Sequence, residues 1–132
     1  MAETRTVNPW TWQDKLAFAQ AIEVKGAERV LYCAGQTSVD ADGVPMHAGD
    51  MEKQFGQALD NLETVLAQAN LTLAHVVRLN YYVTDLDAFR KAGEARQARL
   101  RAGACNPSGT LLVVAGLFHP DIMIEIEATA VV

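Results

Sequence analysis

Two glutamates that alternate along one apolar segment are the residues best suited to chemistry in this chain. Glu125 and Glu127 lie in the segment 124–128 (IEIEA). In a β-strand, alternate side chains share a face, which places these carboxylates roughly 6.5–7 Å apart. A carboxylate in a cleft can activate water as a general base, whereas one at a subunit contact forms an ion pair or stays solvated. The residues alone favour the structural interpretation, because charged side chains more often have structural roles.

The other reactive side chains indicate neither a metal site nor a strong nucleophile. His47, His75 and His119 lack the spacing of metal ligands, and the chain has no Cys-x-x-Cys motif, so we expect no bound metal. Cys33 lies in an apolar segment and is expected to be a buried, unreactive thiol. Cys105 precedes a proline with no cation placed beside it by spacing, which makes it a weak candidate nucleophile.

The composition excludes several classes of protein. A length of 132 residues predicts a single domain over 1–132. With 11 Lys and Arg against 16 Asp and Glu, the net charge is −5, and we expect neither a nucleic-acid nor a membrane partner. No apolar run approaches the roughly 20 residues of a membrane span, and no secretory signal is visible. Two cysteines then favour a reduced, cytoplasmic location.

Hydrophobic periodicity predicts two helices between strands. Apolar residues recur at helical spacing over about 51–69, with Asp50 as the N-cap. A second helix is capped by Asp85 or Asp87 and ends at Gly103 and Pro107, with Arg96 roughly on its apolar side. The predicted strands are 17–24 and 29–34, joined as a hairpin through 25–28, then 76–84, 110–117 and 122–131.

The predicted elements fit an antiparallel or mixed sheet with both helices on one face. The segment 111–114 (LLVV) is apolar on both faces, so the strand that contains it should be buried on both faces. Two helices cover only one side of a sheet. We therefore expect the other side to contact another subunit.

Several segments in register resemble the Rid family, also known as YjgF/YER057c/UK114 or endoribonuclease L-PSP. The resemblance runs from about Phe18 to the C-terminus and describes one Rid-like domain. The matching segments are FAQA at 18–21, AGQ at 34–36, QALDNL at 57–62, YVTDLDAF at 82–89, PSGT at 107–110, AGL at 115–117 and IEIEA at 124–128.

The resemblance implies a chorismate-mutase-like α+β fold with two helices on one face of a mixed sheet, and a homotrimer with clefts between subunits. It implies hydrolysis of enamine or imine metabolites such as 2-aminoacrylate, with no cofactor. By motif, Glu125 handles the attacking water and the backbone of Gly35 holds the ligand. Phe18, Gly109 and Thr110 fall on further ligand-binding positions.

The chain departs from the family pattern at these binding positions. The carboxylate-binding arginine of the family is replaced by Gly109, the cleft cysteine by Leu111 and the cleft tyrosine by Phe18. An arginine–carboxylate pair contributes charge-assisted hydrogen bonds, so its loss predicts poor 2-aminoacrylate deamination. On this basis we expect Gly109→Arg to raise that activity. Arg78 could supply a cation from another direction, although a solvated strand residue explains it as well.

Two functions follow from the sequence. The first is a Rid-like protein whose clefts bind and hydrolyse a small enamine or imine metabolite as a cofactor-independent hydrolase. The alternative is a non-catalytic protein that binds a small ligand or a partner on the same scaffold. A ribonuclease is disfavoured, since neither a basic stripe nor an aromatic stacking platform is evident.

Overall fold

A five-stranded mixed sheet with helices on one face forms the body of the chain. The computed structural model describes residues 1–132. The strands are β1 (Glu3–Val7), β2 (Ala21–Lys25), β3 (Val30–Tyr32), β4 (Gln36–Thr37), β5 (Val76–Val83), β6 (Leu111–Val113) and β7 (Ile124–Val131). The helices are α1 (Met51–Gln68), α2 (Leu86–Lys91) and α3 (Gly93–Ala102). The main sheet has the order β3-β7-β5-β6, with β4 also paired to β7. All its pairs are antiparallel except β5 with β6, which confirms the predicted α+β class.

Helix α1 forms as its periodicity predicts. The Asp50 side chain accepts a hydrogen bond from the backbone N–H of Lys53, 3.0 Å away, and so caps the helix. The apolar stripe of α1 is buried against the sheet, with Leu59, Leu62 and Leu66 fully buried. The opposing strand β7 buries Ile124, Ile126, Ala128 and Ala130 on the same side. This packing leaves the alternate residues of β7 on the other side, which we call the open face of the sheet.

The second predicted helix forms as two consecutive helices, so three helical segments cover the sheet. Asp85 caps α2 by accepting from the backbone N–H of Ala88, and α2 ends at Lys91. Helix α3 begins at Gly93 after a break at Ala92. Glycine has nearly the lowest helix propensity, which explains an interruption at this point. None of the helices combines the length and the apolar character of a membrane-spanning segment.

The predicted hairpin between the first two strands does not form. Strand β2 pairs with β1 in a separate two-stranded sheet, whereas β3 pairs with β7 in the main sheet. Gly26 takes a φ of 68° between β2 and β3, a value that glycine adopts at little cost. The segment 3–7 (ETRTV) is too polar to be predicted as a strand, so the pairing of β2 with β1 has no signal in the sequence.

Strand β6 is shorter than predicted and lies at the edge of the sheet. It covers only residues 111–113 instead of 110–117, and it pairs in parallel with β5. Its three side chains are 40–57% exposed, so the chain alone does not bury them as the sequence predicted. A row of exposed apolar side chains at a sheet edge is unfavourable in water and favours association.

Candidate functional site

The structure separates the five predicted site residues into two groups. Phe18, Gly109 and Thr110 line a cavity of about 190 Å³ beside the edge of β5. Gly35 and Glu125 contact each other and are not part of that cavity. Within one chain, the predicted residues therefore do not share a single pocket.

The first group belongs to what we call the Phe18 cavity, whose walls are mostly apolar. Its walls come from the segment 16–18, from β5, from α2 and α3, and from the segment 107–111. Leu79 and Phe89 contribute apolar surface, and Tyr81 and Arg96 contribute the larger polar groups. Apolar walls with a few polar groups are typical of a site for a small organic ligand.

Phe18 is held in the cavity wall by its backbone neighbours. Ala17 adopts a left-handed φ of 57° at the end of a short 3₁₀ turn, and it is buried. The backbone N–H of Ala19 donates to the carbonyl oxygen of Pro107, 2.9 Å away. This bond ties the segment around Phe18 to the segment that contains Gly109. The Trp12 ring packs edge-on against Phe18, with 5.8 Å between centroids.

Gly109 lies where two backbones approach closely. The N–H groups of Leu79 and Tyr81 donate to the carbonyl oxygens of Ser108 and Thr110, each at 2.8 Å, on either side of the glycine. A Cβ atom at position 109 would overlap the Leu79 carbonyl oxygen and would lie 2.9 Å from its carbon. On this backbone path only a residue without a Cβ fits at position 109.

Two cavity residues were not assigned a role from the sequence. The Arg96 guanidinium lies 4.4 Å from the centroid of the Phe89 ring and 5.5 Å from that of Tyr81, in cation–π contact with both. Burial raises the pKa of Tyr81 to about 12, so its hydroxyl stays protonated at neutral pH. The sequence does contain a signal for Arg96, because it is a charged residue on the apolar side of the second predicted helix.

The second group lies on the open face. The carboxylate of Glu125 fills the space above Gly35, where an added Cβ would overlap Oε1 and lie 2.7 Å from Cδ. A glycine at position 35 therefore makes room for this carboxylate. Burial raises the pKa of Glu125, and the neighbouring Glu127 carboxylate raises it further. A base with a raised pKa is better matched to proton transfer near neutral pH.

Glu127 occupies a different environment on the same face. Asn80 Nδ2 donates to Glu127 Oε1 at 3.2 Å, and Tyr82 Oη donates to the same oxygen at 2.9 Å. These two hydrogen bonds lower the pKa of Glu127. Opposite pKa shifts in two neighbouring carboxyl groups are typical of sites in which the two have different roles. The geometry gives Glu127 a structural role and leaves Glu125 without side-chain hydrogen bonds that would stabilise its ionised form.

A hydrogen-bond chain links the open face to the cavity. The backbone N–H of Thr110 donates to Asn80 Oδ1 at 3.1 Å, and Asn80 in turn donates to Glu127. Arg78 Nη2 donates to the Thr110 hydroxyl at 3.3 Å. Thr110 thus contacts both regions, and Arg78 lies on the open face and not in the Phe18 cavity.

The two thiols are unsuited to nucleophilic chemistry. Cys33 and Cys105 are both buried and free. Burial raises the pKa of Cys105 to about 12 and raises that of Cys33 as well. The thiolate is the nucleophilic form of cysteine, and neither side chain forms it readily at neutral pH.

Comparison with known sequences gives a consistent set of relatives. The sequence profile of the family described as Endoribonuclease L-PSP matches residues 13–132. Protein DfrA of Myxococcus xanthus is 32% identical over 114 residues, which are 86% of this chain and 84% of the relative. The 2-iminobutanoate/2-iminopropanoate deaminase of Rattus norvegicus is 29% identical over 115 residues, which are 87% of this chain and 80% of the relative.

A solved structure shares the whole fold. The protein YyfB from Yersinia pestis, described as a protein of unknown function of the conserved Rid family, superposes with a TM-score of 0.84. It is 35% identical, and the match covers 98% of each chain. The fold of this chain is therefore a known one. On it the chain carries Gly109 at the sheet edge, Glu125 on the open face and the Phe18 cavity.

Proposed function

Because this chain belongs to the Endoribonuclease L-PSP family, also known as the Rid or YjgF/YER057c/UK114 family, we propose that it binds and hydrolyses a small imine or enamine metabolite. The observation that carries the proposal is the environment of Glu125, a partly buried carboxyl with a raised pKa beside a glycine that makes room for it. One relative is named as a 2-iminobutanoate/2-iminopropanoate deaminase, which supports the reaction class.

In the proposed reaction, Glu125 acts on water. Its carboxylate removes a proton from a water molecule as the water oxygen forms a bond to the imine carbon. The resulting tetrahedral carbinolamine carries both the hydroxyl and the nitrogen. The Glu125 carboxyl returns the first proton to that nitrogen. The hydroxyl proton then moves through Glu125 to the same nitrogen as the C=O bond forms and the C–N bond breaks. The products are one carbonyl compound and one ammonia for each imine and water consumed, and the glutamate returns to its ionised form.

The proposed site needs more than one copy of the chain. The Phe18 cavity and the Glu125 region lie apart, and Tyr82 and Leu112 span the strands between Glu125 and the sheet edge. With neighbouring strands about 4.8 Å apart, the edge strand β6 beside the cavity lies roughly 10 Å from Glu125. We propose a homotrimer in which the cavity group of one subunit faces the Glu125 group of the next.

Exposed apolar residues on and beside the open face support association. Tyr32 is 80% exposed, Leu112 is 49% exposed and Val30 is 45% exposed. Val30 and Tyr32 lie on β3 and Leu112 lies on β6, at the two opposite edges of the main sheet. Burial of these side chains against neighbouring subunits is favourable at about 25 cal/mol per Å² of apolar area.

Assembly is the first property to test. We expect light scattering at micromolar concentration to give the mass of a trimer. Leu112→Asp should shift the population toward smaller species, because it places a charge in the proposed contact. The matched control is Val44→Asp, which changes a residue of similar exposure, 54%, in the turn before Pro45. A well-folded wild-type monomer at this concentration would contradict the proposed assembly.

Turnover is the second property to test. Imines generated in situ from a panel of amino acids should release ammonia and keto acid faster with the protein than without it. We expect 2-aminoacrylate to be a poorer substrate than imines with a longer hydrocarbon chain, because residue 109 supplies no cation and the walls of the Phe18 cavity are mostly apolar. If no imine in the panel is accelerated, the hydrolase proposal is wrong.

One observation favours the alternative of a non-catalytic binding protein. The walls of the Phe18 cavity contain no carboxylate and no histidine, so the cavity by itself holds no general base. Ligand binding in the cavity without any acceleration of imine hydrolysis would support this alternative.

A further inference from the structure

Arg96 is the one charged residue in the walls of the Phe18 cavity. It projects from α3, and its guanidinium stacks on the Phe89 and Tyr81 rings. Stacking on a ring face leaves the edge of the guanidinium, which carries its N–H donors, free to form hydrogen bonds. The cavity therefore combines one cation with otherwise neutral walls.

The charge of Arg96 has no counterion within the chain. Arg99, three residues along the same helix, pairs with Asp60 at 2.8 Å and lies 3.7 Å from Glu63. Arg96 forms no such pair, and its Nε is buried without a hydrogen-bond partner. It is the only buried side-chain nitrogen or oxygen in the chain that lacks one. An unsatisfied buried donor is unfavourable, so a ligand acceptor at this place would be stabilised.

We propose that Arg96 anchors the carboxylate of a small organic acid in the Phe18 cavity. This inference rests on the proposed function and names its substrate class, which is a short-chain acid or an imine derived from one. The anchor comes from helix α3. It binds the carboxylate in place of a side chain at position 109, for which the backbone leaves no room. The family position and the Arg96 position are different elements of the fold.

The chemistry of the cavity favours a carboxylate over other groups. A guanidinium offers parallel N–H donors that match the two oxygens of a carboxylate. The apolar walls formed by Phe18, Leu79 and Phe89 suit a short hydrocarbon chain. A volume of about 190 Å³ is below the roughly 300–1,000 Å³ of sites for drug-sized ligands, which points to a small acid.

Paired ligands test the anchor without any change to the protein. The probes are butanoate and butanamide, which have the same size but differ in charge, and binding is measured by NMR titration. We expect wild-type protein to bind the acid at least 10-fold more tightly than the amide. Equal binding of the two, or binding of neither, would overturn the proposal.

Variants then assign the preference to Arg96. Arg96→Met keeps an apolar stem and should abolish the preference for the acid while it leaves amide binding unchanged. Arg96→Lys keeps the charge and should retain part of the preference. The matched control is Arg99→Met, which removes a guanidinium from the same helix and should leave the preference intact. A purely structural Arg96 would lower the binding of acid and amide alike, and that result would overturn the proposal.

The same titration in Glu125→Gln separates this inference from the proposed function. If the acid preference persists in Glu125→Gln and depends on Arg96, the anchor stands even where imine hydrolysis is absent. If imine hydrolysis depends on Glu125 but acids bind Arg96→Met as they bind wild type, the anchor is wrong and the hydrolase proposal stands.

Discussion

Glu125→Gln should reduce imine turnover by about 10²–10⁴-fold, which is the usual contribution of a general base. Glutamine has the size of glutamate and still forms hydrogen bonds, but it cannot accept the proton of water. The loss should appear in kcat, because the base acts in the transition state, with KM changed little. Steady-state assays of ammonia release measure both constants. The mass of the assembly, measured by light scattering, should be unchanged, since glutamine can still form a hydrogen bond at this position.

Two further variants make the assignment specific. Glu127→Gln is the matched control, because it makes the same change two residues along the same strand face, where Asn80 and Tyr82 hold the carboxylate. It should retain most of the turnover. Gly35→Ala leaves the base intact but places a Cβ in the space that the Glu125 carboxylate occupies. It should therefore lower kcat by displacing the base without removing it.

The pH dependence of kcat/KM reports the same carboxyl group. Because Glu125 works only when ionised, activity should rise with pH through its pKa. Burial and Glu127 raise that pKa, so the acidic limb should lie above the ordinary range of a glutamate. Glu127→Gln removes the negative charge of Glu127, which is the second cause of the raised pKa. The acidic limb of the pH profile should then move to lower pH. Equal losses in Glu125→Gln and Glu127→Gln, or a fully active Glu125→Gln, would contradict a role for Glu125 as the base.

The long elements of the fold could be predicted from the sequence because one physical pattern sets each of them. The apolar stripe and Asp50 predict α1 within one residue of its observed ends. The alternation in segment 122–131 predicts β7 and the face of Glu125. Strand pairing could not be predicted in the same way. Strand β1 is a polar segment whose partner depends on the path of the chain after Gly26, and no local pattern records that path.

The candidate site could be predicted in part from the sequence. Strand alternation indicates that Glu125 and Glu127 share a face, but it cannot tell them apart. Their difference comes from Asn80 and Tyr82 on the neighbouring strand, which contact only Glu127. Arg96 was visible only as a charge on an apolar helix side. Its isolation from acidic partners, in contrast with Arg99, depends on side-chain positions that spacing along the chain does not specify.

The backbone geometry of the segment 108–110 argues against the expectation that Gly109→Arg raises deamination. The sequence indicates only that position 109 lacks a guanidinium and that Thr110 keeps the register of the strand. The structure shows that the first atom of any side chain at 109 meets the Leu79 carbonyl. To admit a Cβ, the segment 108–110 must move away from β5, which disturbs the two 2.8 Å backbone hydrogen bonds beside the glycine.

We therefore expect Gly109→Arg to lower the free energy of unfolding by about 2–4 kcal/mol, from overpacking and weakened backbone hydrogen bonds, and not to raise deamination. Gly109→Ala should cost nearly as much, because the penalty arises at Cβ and not at the guanidinium. The control is Gly116→Ala, where an added Cβ meets nothing within 4 Å and stability should be unchanged. Urea denaturation of the three variants measures the effect. A stable Gly109→Arg with increased 2-aminoacrylate turnover would show instead that this edge adapts to a side chain, and that its glycine alone limits the activity.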